Sequence, residues 1–76
     1  MRELIEFVAR ALVDDAAAVE VRELQAEPTL VYQLQVAPSD VGKVIGKHGR
    51  TAHSLRLLLS ASAARAGRKA VLEIKE

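Results

Sequence analysis

Apolar residues near the start of the chain recur at helical spacing. Leu4, Ile5, Val8, Ala11 and Leu12 fall at i, i+1, i+4, i+7 and i+8, a stripe down one side of a helix from about Arg2 to Val13. Asp14 and Asp15 end that pattern, and the period then shortens to two. Val19 to Leu24 and Leu30 to Val36 read as two strands joined around Glu27 and Pro28. In the second run Leu30, Tyr32, Leu34 and Val36 share one side while Gln33 and Gln35 take the other, which predicts an antiparallel hairpin with one wet face.

The helical period returns in two pieces. Pro38, Ser39 and Asp40 offer capping chemistry for a short helix from about Asp40 to Ile45, which the glycines at 46 and 49 end. A longer helix is predicted from about Arg50 to Ala66, with Ala52, Leu55, Leu59, Ser62, Ala63 and Ala66 on its inner face and Gly67 closing it. Ala70 to Lys75 alternates again, with Leu72 and Ile74 inward, as a last strand. The order is α-β-β-α-α-β. From Leu57 to Ala64 the long helix is apolar or small around its whole circumference, which a one-sided core does not require. Its outer stripe of Leu57, Ala61 and Ala64 is either covered within the chain or offered to a partner.

With 76 residues the chain has room for one small domain, which removes only about 60% of its surface from water, so every element must pack. The absence of cysteine excludes a disulfide scaffold and a thiolate metal site, and suits a reducing compartment. The longest uncharged stretch, Pro28 to Ser39, is shorter than the roughly 18 residues of a membrane span, and the start lacks the pattern of a signal peptide. A cytoplasmic protein is expected. With Phe7 and Tyr32 as its two aromatics, the chain cannot build a surface on which several bases stack.

The net charge of +1 conceals a division along the chain. Residues 1–40 hold three bases against eight acids, a local charge of −5. Residues 41–70 hold seven bases (Lys43, Lys47, Arg50, Arg56, Arg65, Arg68 and Lys69) and no acid. A field of one sign raises the local concentration of its opposite, so the second half points to a polyanion.

That basic half contains Gly42-Lys43-Val44-Ile45-Gly46-Lys47-His48-Gly49-Arg50, between the two predicted helices. Glycines without a Cβ let a phosphodiester backbone come close, and the long helix begins beside them with unsatisfied amides and the positive end of its dipole. Lys43, Lys47, His48 and Arg50 add basic side chains. The ingredients of an anion cradle are all local.

Val44-Ile45-Gly46-Lys47-His48-Gly49 resembles the Ile-Gly-x-x-Gly signature of KH domains, whose interhelical loop clamps the backbone of about four unpaired nucleotides. The element order is that of the type II variant, and the run from Val36 to Arg50 is similar to the stand-alone bacterial KH proteins of the KhpA family. The resemblance implies an α+β fold, a single type II KH domain over residues 1–76 with a three-stranded mixed sheet and its helices on one face. It also implies single-stranded RNA as the partner, bound with low sequence specificity in an RNA-chaperone-like or regulatory role. Gly46, Lys47, His48 and Gly49 would form the clamp, with Lys43 and Arg50 beside it. Val41, Val44 and Ile45, with Leu55 and Val36 as lesser contributors, would line a shallow groove for bases. Members of the family pair with themselves or with a second KH-containing protein, for which Leu57, Ala61 and Ala64 are the candidate surface.

Other chemistries fit poorly. Gly42 to Lys47 is one residue short of a Walker A loop and lacks the following Ser or Thr. His48 and His53 are five apart and have no cysteine near them, a poor zinc pair. Ser54 and Ser60 lie in a stretch without a carboxylate to orient a histidine. No enzyme, cofactor, metal or small-molecule substrate is expected. Two alternatives stay open: a KH-like module that binds only protein, and a helix-turn-helix that inserts Arg50, His53, Ser54 and Leu57 into duplex DNA.

Overall fold

In the computed structural model, which describes residues 1–26 and 28–75, the first helical stripe becomes helix α1, Arg2–Leu12. Ile5 and Ala9 are fully buried, and Met1, Val8 and Val13 pack against the same core. The inner line is narrower than the apolar spacing suggested: Ala11 is exposed, and Leu4 and Leu12 are 39% and 38% exposed. Glu6 ties Arg2 and Arg10 along the outer side at 3.4 and 3.1 Å, contacts worth only a few tenths of a kcal/mol each. A 3₁₀ turn at Ala16–Ala18, which has no signature in the pattern, leads into the sheet.

Strands β1 (Glu20–Ala26) and β2 (Thr29–Gln35) pair antiparallel, with Glu20 opposite Gln35 and Ala26 opposite Thr29. The expected turn residue Glu27 lies outside the described residues. In β2 the predicted alternation holds: Leu30, Tyr32 and Leu34 are buried, while β1 buries only Val21. Strand β3 (Lys69–Lys75) joins the other edge of β2 in parallel, so β2 is central and the sheet is mixed.

A parallel neighbour needs a crossover, and the whole basic half of the chain serves as one. After Gln35 come a 3₁₀ turn at Pro38–Asp40, helix α2 (Val41–Ile45), a second such turn at Lys47–Gly49, and helix α3 (Arg50–Arg65). Arg68 N–H bonds the Ala63 carbonyl at 2.9 Å and Gly67 N–H that of Ala64 at 3.0 Å, the paired closure that satisfies the last carbonyls of a helix. Ala52, Leu55, Leu59 and Ala63 form the buried face of α3. Ser62 and Ala66, expected with them, are exposed, because Ser62 stands on the flank of that face and Ala66 is already the residue that caps the helix.

The helices cover one face of the sheet, and the core lies between: Tyr32, Ile5, Leu34, Leu59, Val36 and Val44 are its largest fully buried apolar side chains. Each contributes about 2 kcal/mol by leaving water. Burial and the Glu23 carboxylate push the Tyr32 phenol up to about 12. On the other face Gln33 Nε2 donates to Glu73 Oε1 at 2.9 Å, a polar cross-strand pair as the wet face requires. Among the described residues no helix is long and apolar enough to cross a membrane.

Candidate nucleic-acid interface

Helix α2 is a single turn and a half, too short to hold itself in water, so its place is set by what it touches. Val44 is fully buried in the core and fixes one side. Gly46 and Gly49 then turn the chain into α3, with φ of +80° and +74°. These two glycines are required for different reasons. A Cβ at Gly46 would overlap Thr51 Oγ1 and lie 2.7 Å from Thr51 Cβ and 2.9 Å from its amide nitrogen. A Cβ at Gly49 would meet nothing within 4 Å, so only its left-handed backbone demands glycine there.

Between them Lys47 and His48 are exposed, and His48 itself stands at φ +59°, ψ +25°, a left-handed conformation that His adopts more readily than most residues. The Gly49 amide bonds the Gly46 carbonyl at 3.0 Å and locks the turn. Gly49 is also the N-cap of α3, where no side chain caps the first turn and the Arg50 N–H is bonded to the Lys47 carbonyl, so the positive end of the helix lies beside the turn. Arg50, exposed, follows directly. Among the described residues, Lys47, His48 and Arg50 enter no ion pair. The turn therefore presents three basic side chains and a helix N-terminus to solvent.

Lys43 behaves otherwise. Its ammonium pairs with Asp14 Oδ2 and lies 3.4 Å from Asp40 Oδ1. Asp40 is 1% exposed, the one buried charged side chain among the described residues. Rather than capping α2, as Ser39 and Asp40 were expected to do, its carboxylate accepts the backbone N–H groups of Asp14 at 3.3 Å and Asp15 at 3.1 Å. The Asp15 amide foremost, then that of Asp14 and the Lys43 ammonium, hold the Asp40 carboxyl below its usual value against the opposing effect of burial. Asp14 in turn raises Lys43. The start of α2 is thus fastened to the exit of α1, 26 residues away, by a bond that no local pattern reveals.

The apolar candidates separate by burial. Val41 is half-buried and Ile45 is 38% exposed, so both offer surface beside the turn. Val44, Leu55 and Val36 are at most 3% exposed and belong to the core. On the outer side of α3, Leu57 is 58% exposed and Ala61 and Ala64 are exposed with it. Leu58, 52% exposed, extends that surface and was not singled out by spacing.

Two helices joined by a Gly-x-x-Gly turn and backed by a mixed sheet in the order α-β-β-α-α-β define a type II KH fold. The family model described as KhpA/KhpB, KH domain matches residues 2–74, and the chain belongs to that family. It is 54% identical over 72 residues to a protein of Treponema pallidum named RNA-binding protein KhpA, covering 95% of this chain and 90% of that one. Proteins of the same name from Caldanaerobacter subterraneus subsp. tengcongensis and Aquifex aeolicus are 45% and 43% identical, over 97% and 100% of this chain and 99% and 96% of their own. No solved structure matches the chain significantly.

Proposed function

We propose that this protein binds single-stranded RNA with low sequence specificity, gripping the phosphate backbone at the Gly46–Gly49 turn. The observation that carries the reading is the turn itself: glycines at both ends, exposed Lys47, His48 and Arg50 without an ion pair among the described residues, and the start of α3, which no side chain caps, beside them. The relatives' name, RNA-binding protein, supports it. Val41 and Ile45 supply the apolar edge against which bases rest. The outer stripe of Leu57, Ala61 and Ala64 makes a homodimer, or a pair with another KH protein, and two weak clamps then act at high effective concentration. We place the activity in the cytoplasm and assign it no catalysis.

The test is fluorescence anisotropy with short single-stranded RNA, wild type against Lys47→Asp/His48→Asp. Asp tolerates the left-handed backbone at position 48, so the turn survives the exchange. Circular dichroism verifies folding, and sedimentation verifies that wild type and variant self-associate alike. RNA affinity should collapse in the variant, and wild-type log K should fall against log salt with a slope of roughly −2 if about three phosphates are engaged. Unchanged affinity in the variant would reduce the turn to a connector. Duplex DNA competing as well as RNA would favour the helix-turn-helix reading instead.

A further inference from the structure

The basic half of the chain carries no acid, yet two acids from the other half converge on one of its bases. Asp40 is buried and committed to two backbone amides, so it cannot leave. Asp14 is different: its side chain is 84% exposed, and apart from the ion pair to Lys43 its carboxylate has no partner among the described residues. Lys43 is 43% exposed, so its ion pair with Asp14 lies at the surface. It stands three residues before Gly46 and four before Lys47, about one helical turn from the clamp.

We propose that the Asp14 carboxylate is a built-in competitor for RNA phosphate at Lys43, and that this residue sets how tightly the clamp holds its strand. The inference rests on the RNA-binding reading of the Gly46–Gly49 turn. A phosphate next to the one gripped at the turn displaces Asp14 from the ammonium, while Asp40 stays in place and keeps Lys43 aimed at that spot. The free protein satisfies Lys43 internally; the bound protein exchanges one anion for another, so this base adds less affinity than its charge alone would give. The raised proton affinity of Lys43, caused first by Asp14, agrees with an ammonium already holding an anion.

The experiment is a gain of affinity, which a damaged fold cannot imitate. Anisotropy with labelled oligouridylate at about 50 mM salt compares wild type with Asp14→Asn, with Asp15→Asn, and with both Lys43→Gln and Asp14→Asn/Lys43→Gln. Asp15 is the control, because its side chain is exposed, removing it changes net charge equally, and it does not touch Lys43. Asp14→Asn should bind about threefold more tightly, the scale of an exposed ion pair, with its salt slope unchanged, because the same phosphates are engaged in both proteins. Asp15→Asn should match wild type, and Asp14→Asn should gain nothing in the Lys43→Gln background. Equal gains from the two asparagine variants, or a gain that survives without Lys43, would overturn the proposal and leave the clamp standing. Wild type binding whose affinity ignores Lys47→Asp/His48→Asp would bring down the clamp, and this inference with it.

Discussion

At the N-terminal end of α2, a buried carboxylate holds two backbone amides and the Lys43 ammonium; at the other end, four residues on, the Lys47 ammonium is exposed and enters no ion pair among the described residues. One lysine lies within α2 and the other just past its end, and composition treats them alike. Only the partner differs. At position 43 the charge in the free protein is met by Asp14 and Asp40 and fastens α2 to α1, and at position 47 it is left without an ion pair among the described residues. A helix too short to stand alone can carry a binding turn because one end is anchored, and in the free protein the anchor neutralises a base that net charge would have counted.

The largest effect that tests this contrast is expected at the open end. Gly46→Ala must push against Thr51 backbone and side chain while forcing alanine into a left-handed region, so both the turn and the start of α3 shift. It should lose about 3 kcal/mol in urea denaturation and at least about tenfold in RNA affinity. Gly49→Ala has open space and bears only the backbone penalty, about 1 kcal/mol, with a smaller loss of binding. Equal losses at the two positions would mean that close approach to Thr51 is not what fixes the turn.

The anchored end should respond next. Asp40→Ala leaves the amides of Asp14 and Asp15 and the Lys43 ammonium without their shared acceptor. Its urea midpoint should fall, and amide exchange should quicken across residues 41–49 while β2 stays protected. Asp40→Asn keeps one carbonyl and should lose less. The carboxyl is held below its ordinary 3.8, so its contribution is complete above that pH and is lost as pH falls through the lower folded value. The acid limb of a stability profile should therefore be flatter in Asp40→Asn than in wild type. Protection that falls evenly over the whole chain would argue that Asp40 supports the core at large rather than α2.

Most of the fold was legible because it follows period: α1, β2, α3 and β3 each repeat apolar positions at the spacing their geometry demands. The turn was legible because glycine and base types at fixed offsets carry a mechanism. What escaped shares a cause. Whether Asp40 caps its own helix or bonds a segment 26 residues earlier depends on tertiary approach, and both uses ask for the same residue. Lys43 looks like another free base until Asp14 is placed beside it. Val44, Val36 and Leu55 satisfy an apolar groove and an apolar core equally well, and burial alone separates them from Val41 and Ile45. The long helix posed the same problem in reverse, since leucine on both sides concealed which side is covered; Leu59 is 1% exposed and Leu57 58%.

The smallest effect concerns what, at the open end, is backbone and what is side chain. His48 holds a left-handed conformation that costs a non-glycine residue roughly 1 kcal/mol, whereas glycine adopts it without steric cost. His48→Gly removes that strain but frees the unfolded chain, a counter-term of roughly 0.5–1 kcal/mol, so folding stability should change by less than about 1 kcal/mol. Binding should weaken by only about twofold, because the glycine ends, Lys47 and the N-terminal end of α3 all remain. Urea denaturation and RNA anisotropy on this one variant separate the contributions. A loss as deep as that of Lys47→Asp/His48→Asp would show that the imidazole itself grips the strand; near-wild-type binding would assign the grip to the backbone path and Lys47, with His48 present chiefly because it tolerates the bend that the turn requires.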